Sequence, residues 1–321
     1  MIEILVAGPV NSVQDAGRFG YRSQGVSTNG AMDPLSMRLA NLLVGNPETT
    51  AVVEIQSFPF RLRFLDDRRF AVAGAACPMR LDGQALPSNW TGAARAGQEL
   101  EIDRPGQGAR AYLALAGGLD VPEVLGSRST HLRNNFGGFE GRDLRAGDKI
   151  AAGTPPAGEI RDGGLVSPLA YWSRLRRPSG AIELRAVPGA DYEMYTPELR
   201  EEFWTTEWRI TPQSNRSGFR LRGAAMLLPK PVSLYSYGVV PGIIQVPPSG
   251  EPIIQMADAN SAGGYPRLGG VIEADLWMLG QAPVGSRVRF TQVSFAEAAA
   301  ALAELEAYLD AVRAGKRLLA S

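Results

Sequence analysis

Apolar and polar positions along the chain follow two different periods. Phe58, Phe60, Leu62 and Phe64 alternate with Pro59, Arg61 and Arg63, and this period of two predicts a half-buried strand. Ile2 to Ala7 reads as an opening strand. Arg69 to Ala73, Glu99 to Ile102 and Arg110 to Ala116 are further short strands in a β series running from Val52 to about Ile150. A second β series starts at Ile182. Helical spacing is confined to three places. Leu35, Leu39, Leu42 and Leu43 share one face, with Asp33 as N-cap, Pro34 at the first helical position and Gly45-Asn46-Pro47 as the stop. Thr196-Pro197 caps a short helix. Phe295, Leu302, Leu305, Leu309 and Val312 share a face of a last helix, opened by a Ser294/Glu297 capping box and expected to end at Gly315. Asn11 to Asp33 is polar, holds Gly17, Gly20, Gly25 and Gly30, and is expected to form one long shaped loop.

Residues 151–180 carry Pro155, Pro156, Pro168, Pro178 and several glycines, a composition suited to a linker. The pattern therefore divides into a β domain over 1–151, a linker over 152–181 and a second β domain with the C-terminal helix over 182–321. Short matches relate the halves. Ile2-Glu3-Ile4 parallels Ile182-Glu183-Leu184, and Arg18-Phe19-Gly20-Tyr21-Arg22 parallels Arg216-Ser217-Gly218-Phe219-Arg220. Their common order is what a duplicated β unit would leave.

Composition sharpens this picture. Gly 37 and Pro 23 in 321 residues favour turns and short strands over long helices. Lysine plus arginine and aspartate plus glutamate balance at 33 each, which argues against charge-driven binding to nucleic acid or an anionic membrane. Lysine occurs only at Lys149, Lys230 and Lys316, so almost every cation is an arginine fork suited to carboxylates and phosphates. One cysteine, Cys77, and one histidine, His131, exclude an intrachain disulfide and a multi-His or multi-Cys metal site. The first ten residues lack the basic start and apolar core of a signal peptide, and no run approaches 18 uncharged apolar residues; a cytoplasmic location is expected.

Three polar constellations could carry chemistry. Gly126-Ser127-Arg128-Ser129-Thr130-His131-Leu132-Arg133, continued by Asn134 to Arg142, combines three arginines, three hydroxyls and a Gly137-Gly138 turn. Converging backbone N–H groups and arginine forks suit an anion; the competing reading is a solvated connection whose arginines pair with Asp143 and Asp148. His131 could serve as an acid or base, or simply pack within its loop. Gln14-Asp15-Ala16-Gly17-Arg18, with Arg22, is the second; Asp15 there is either a base or a holder of arginine. The third pairs Gln245 to Gly250 with Asp258 to Pro266, and its calcium-loop look fails because Ala262 and Gly269 stand where ligands are needed. Cys77 reads as a small core residue. No nucleotide-loop signature occurs.

These motifs resemble the allophanate hydrolase subunit 2 family, also called the carboxyltransferase A/B or KipA-like family. Gln14-Asp15 to Arg22, Gly30-Ala31-Met32-Asp33, Ala116-Gly117-Gly118 through Thr130, Pro241-Gly242 to Pro247 and Gly263-Gly264-Tyr265-Pro266 carry the resemblance over residues 2–292. It implies tandem cyclophilin-like β-barrel domains. It also implies one of three roles: the C component of a bacterial ATP-dependent 5-oxoprolinase working with subunits A and B (LamB/YcsF-like and KipI-like proteins), a carboxyltransferase region using carboxybiotin, or an antagonist of a kinase inhibitor. The first is the leading expectation, with the chain inactive alone. ATP then acts in the assembled complex, and biotin only under the second role. The expected site holds Asp15, Arg128, Arg142 and Asp258 as catalytic groups. Arg18, Arg22, Ser129, Arg133, Gly137, Gly138, Arg216, Gln245, Gly263, Gly264 and Tyr265 would bind a small carboxylate substrate, and no metal is expected. The chain departs from the family pattern at Asn134-Asn135, at Asn215 and Ser217, and at Asn260-Ser261-Ala262.

Overall fold

The computed structural model describes residues 1–157, 162–165 and 180–320. The chain forms two compact units. One holds Met1–Arg18, the described part of Asn29–Tyr171, and Ala307–Ser321; the other holds Phe19–Thr28 and the described part of Trp172–Glu306. The expected linker lies largely outside the described residues. Its described piece Gly163–Gly164 is a short strand paired with Trp90–Ala94. Among the described residues no helix is long and apolar enough to cross a membrane.

The fold is mainly β. In the first unit one six-stranded sheet runs Lys149–Ile150, Ile2–Val6, Phe60–Phe64, Glu99–Ile102, Met79–Leu81, Gln84–Leu86 from edge to edge. The other runs Gly163–Gly164, Trp90–Ala94, Arg68–Ala76, Gln107–Leu115, Val52–Ile55, Ser12–Gln14. Both sheets feed one core: Ile2, Phe60, Leu62 and Leu100 meet Val53, Val72 and Leu113. Alternation does what it predicts. Phe60, Leu62 and Phe64 are fully buried, while Arg63 between them turns out to Glu99 on the facing strand at 2.7 Å. Burying each such apolar side chain contributes about 1.5–3 kcal/mol. Helix α1, Pro34–Leu43, starts as expected, with Ser36 N–H donating to the Asp33 carboxylate at 2.9 Å.

The second unit is a closed barrel of seven strands. In order they are Ile182–Pro188, Arg267–Val271, Ile243–Gln245, Ile253–Gln255, Gly218–Arg222, Trp208–Ile210 and Arg287–Gln292, which pairs in parallel with the first. Leu184, Leu221, Ile244, Ile254 and Val288 fill its interior. Helix α2, Pro197–Thr205, seals one side by stacking Phe203 on Phe290 at 4.8 Å.

Three local expectations are corrected. Ser12–Gln14 inside the expected long loop is a strand, because all three side chains are buried against Val52–Ile55. The last helix, after the short α3 at Leu276–Gly280, is α4, Phe295–Ala320, and runs through Gly315. One glycine costs a helix only about 1 kcal/mol, and no proline follows it. Its capping box is present, with Glu297 N–H donating to Ser294 Oγ at 3.2 Å and Ser294 N–H to the Glu297 carboxylate at 2.7 Å. Phe295 lies exposed rather than on the buried face, which Ala301 and Leu309 supply.

Candidate functional site

The first unit draws the 126–142 loop tightly onto Asp15 and Arg18. The Asp15 carboxylate accepts from Gly17 N–H at 2.8 Å, Ser127 Oγ at 2.7 Å, Ser129 Oγ at 2.5 Å and Arg128 N–H at 2.5 Å. Arg18 is fully buried. It donates to the Ser129 and Val124 carbonyls at 2.9 Å each and to Asn29 Oδ1 at 3.0 Å, with Phe136 against its face. Gly137 and Gly138 both take positive φ, at 70° and 55°. A Cβ on Gly137 would overlap the Ser129 carbonyl, and one on Gly138 would overlap Thr130 Oγ1. These glycines therefore permit close packing of the loop on itself. His131 is buried, its ring tilted against Phe136 at 4.9 Å between centroids, and Nδ1 accepts from Asn134 N–H at 3.3 Å.

The loop's arginines are occupied by neighbours. The Arg142 fork meets both Asp148 oxygens at 2.8 and 2.9 Å and also reaches Glu140. Arg128 donates from Nε to the Val121 carbonyl at 3.0 Å and pairs with Glu123 at 3.3 Å. Arg133 is exposed, and Arg22 sits in a short turn donating to Thr28 Oγ1 at 3.0 Å. Burial lowers the pKa of Arg22.

The second unit carries a pocket of about 230 Å³ at the edge of its barrel. Its wall includes Gln213, Asn215, Gln245, Gln255 and Asn260, with Ser217, Tyr265, Val239, Ile253, Ala262 and Gly263 between them. Arg220 is its one charged side chain. The barrel register explains the grouping. Ile243–Gln245 and Ile253–Gln255 are adjacent antiparallel strands with the same Ile-Ile-Gln sequence, and Gln255 Nε2 donates to Gln245 Oε1 at 2.8 Å. Gln245 Nε2 in turn donates to Tyr237 Oη at 2.7 Å, and Tyr237 Oη donates to the Tyr265 carbonyl. Arg267 lies over the Tyr237 ring at 4.0 Å and is itself held by Asp191 at 2.7 Å. Burial, the largest influence, raises the Tyr237 pKa.

Of the residues expected from the sequence, Gln245, Gly263 and Tyr265 line this pocket. Gly264 lies beside it, where a Cβ would come within 3.0 Å of the Leu234 carbonyl. Arg216 and Asp258 are buried beneath, bonded to each other at 2.9 and 3.0 Å. Asp15, Arg18, Arg128, Ser129, Arg133, Gly137, Gly138 and Arg142 belong to the first unit instead. Sequence reasoning missed Gln213, Arg220, Tyr237 and Gln255; the repeated Ile-Ile-Gln was the signal that could have found Gln255. Four positions noted as departures from the family pattern, Asn215, Ser217, Asn260 and Ala262, line this pocket together, while Asn135 and Arg142 line a second pocket of about 460 Å³ in the first unit.

Comparison with known proteins agrees with this architecture. The family model for the carboxyltransferase domain, subdomain A and B, matches residues 24–292. The chain is 40% identical over 310 residues to the Escherichia coli protein named as the C component of 5-oxoprolinase, covering 97% of each chain. It is 38% identical to the protein of the same name from Haemophilus influenzae, over 98% of each. Among solved structures, urea carboxylase of Kluyveromyces lactis superposes with a TM-score of 0.86 at 30% identity; the match spans 97% of this chain and 29% of that longer one. The chain belongs to the carboxyltransferase A/B domain family.

Proposed function

We propose that this protein is the C component of a bacterial ATP-dependent 5-oxoprolinase. The observation that carries the reading is the end-to-end match, at 40% identity, to a protein named as that component. The pocket chemistry agrees with it. A volume near 230 Å³ is below the roughly 300–1,000 Å³ of pockets for drug-sized ligands and suits a small ring. Amide side chains offer donors and acceptors to a lactam, and Arg220 offers a fork to its carboxylate.

Opening an unstrained lactam adds water at the carbonyl carbon and expels the ring nitrogen as an amine, so the carbonyl must be activated at its oxygen or that oxygen stabilised as charge develops there. Fixed donors such as the pocket amides and the Ser217 hydroxyl serve the second need. One arginine is a poor match for a triphosphate, so in this reading ATP sits on another protein of the complex and no step is routed through the pocket for it. Partners are subunits A and B, and the chain alone is inactive.

The test is co-expression with candidate A and B subunits and measurement of ATP consumption with and without 5-oxoproline. Stimulation only in the three-part mixture is expected. Turnover of carboxybiotin by the assembly, with no response to 5-oxoproline, would replace this reading with a carboxyltransferase, the activity in the description of the matching family model.

A further inference from the structure

The hydrogen bonds along one wall of the pocket have a direction, and that direction is fixed at one end. The Tyr265 carbonyl can only accept, so the Tyr237 hydroxyl spends its single proton there. Tyr237 Oη must then accept from its other neighbour, which turns the Gln245 NH₂ toward it at 2.7 Å. The Gln245 carbonyl is left facing Gln255, which must donate its own NH₂ across 2.8 Å. The chain ends on the Gln255 carbonyl oxygen, which has no partner among the described residues and belongs to a side chain lining the pocket.

Packing holds each link in place. Gln245 is 4% exposed. The Tyr237 ring is covered by Arg267, which Asp191 grips through Nε at 2.7 Å. Gly263 leaves just the room the Gln245 amide needs, since a Cβ there would come within 2.8 Å of its Nε2. Neither glutamine amide can turn over without breaking the bond to its neighbour.

We infer that Tyr237 is a positioning residue that sets the polarity of the Gln245–Gln255 pair, so that the pocket presents an acceptor and selects ligands carrying an N–H donor, as in a cyclic amide or ureido group. This rests on the reading of the pocket as the substrate site. A ring oxygen in place of the N–H would set two lone pairs against each other. With the Tyr237 hydroxyl removed, the pair can reverse and offer the NH₂ instead.

The test compares 5-oxoproline with its lactone analogue, in which oxygen replaces the ring N–H, by calorimetry on the assembled complex. Wild type should prefer the lactam by tenfold or more. Tyr237→Phe keeps the ring and its contact with Arg267, and should narrow that preference by roughly three- to tenfold, the worth of one net hydrogen bond. Gln245→Met, which cuts the chain at its middle, should narrow it similarly and serves if the first variant folds poorly. Equal binding of the two compounds by wild type, or an unchanged preference in both variants, overturns the inference while leaving 5-oxoproline-dependent ATP use to decide the functional reading. If that turnover is absent, the same question is put to the isotope-labelled full chain with 2-pyrrolidinone and γ-butyrolactone. Shifts of the Gln245 and Gln255 side-chain amide signals with the lactam alone support the inference, and equal shifts, or none with either compound, overturn it.

Discussion

Asp258→Asn is the substitution that reports most directly on how the pocket rim is held. Arg216 and Asp258 make two parallel N–H···O bonds at 2.9 and 3.0 Å, and both residues are more than nine-tenths buried. The Asp258 N–H also donates to the Arg216 carbonyl at 2.9 Å, and Met256 N–H to the Ser217 carbonyl at 3.1 Å. The ion pair therefore ties the turn carrying Asn215 and Ser217 to the turn carrying Asn260 and Ala262. Asparagine keeps the shape but removes the charge and sets an NH₂ against the guanidinium. Two charge-assisted bonds at about 1.5–3 kcal/mol each would give about 3–6 kcal/mol, in line with about 3–5 kcal/mol for stranding one partner of a buried pair. For a unit of roughly 150 residues, at about 2–4 °C per kcal/mol, the melting midpoint should fall by about 6–24 °C. Calorimetry and urea unfolding of the full chain measure it. A loss below about 1 kcal/mol would refute the reasoning, because the pair would then be worth no more than one on the surface. A double variant, Arg216→Met with Asp258→Leu, should recover part of the loss, since no buried charge is left alone.

Further outcomes follow from the other contacts. Gly138→Ala should destabilise the first unit by more than about 2 kcal/mol in urea unfolding, because φ is positive and the new Cβ overlaps Thr130 Oγ1. Asp15→Asn should cost about 2–3 kcal/mol, seen as a lower unfolding midpoint, since the amide cannot accept from both Arg128 N–H and the two serine hydroxyls. Arg142→Lys should lower thermal stability by about 1–2 kcal/mol as the fork to Asp148 is lost, and leave 5-oxoproline affinity in the complex unchanged; the opposite outcome would return this arginine to the site. Arg68 above all, with burial opposing and the N-terminal ammonium adding, holds Asp66 below the usual carboxylate range. Its contribution is then fully present above the unfolded value near ~3.9 and is lost as pH falls through the lower folded value; Asp66→Asn should flatten unfolding free energy against pH between about 5 and 2.

The strands and helix starts were legible because their causes are local. Phe60, Leu62 and Phe64 announce a buried face by spacing alone, and Asp33-Pro34 and Ser294/Glu297 satisfy helix N–H groups within a turn of themselves. The pocket was legible only in part. Gln245 and Gly263 stood in quoted motifs, but Gln255 reaches Gln245 through the barrel register, which pairs Ile244 with Ile254, and Tyr237 reaches Gly263 through a separate two-stranded sheet, Tyr237–Gly238 with Ala262–Gly263. Register is a long-range property that the pattern of one strand does not contain. Gly315 misled for the converse reason: a local stop signal worth about 1 kcal/mol is overruled when the residues on both sides continue the helix.

The richest run of arginines and hydroxyls in the sequence drew attention to the 126–142 loop, and its charges explain why density of polar residues is a poor guide to a site. Asp15 is ringed by donors, Arg18 by backbone and side-chain acceptors, and Arg142 by two carboxylates, so each charge is already answered within the first unit. The corresponding arginine of the second half, Arg216, is answered by Asp258. A group so matched must give up its partner before it can hold a ligand, and for a buried partner that costs about 3–5 kcal/mol. The pocket wall is different in kind. Its amides carry no charge to be neutralised, their mutual bonds end on an acceptor with nothing opposite it among the described residues, and Arg220 at the rim is exposed with no ion-pair partner among those residues. Unmet hydrogen-bonding capacity held at a fixed orientation, rather than the number of polar groups, is what makes a surface able to select a small ligand.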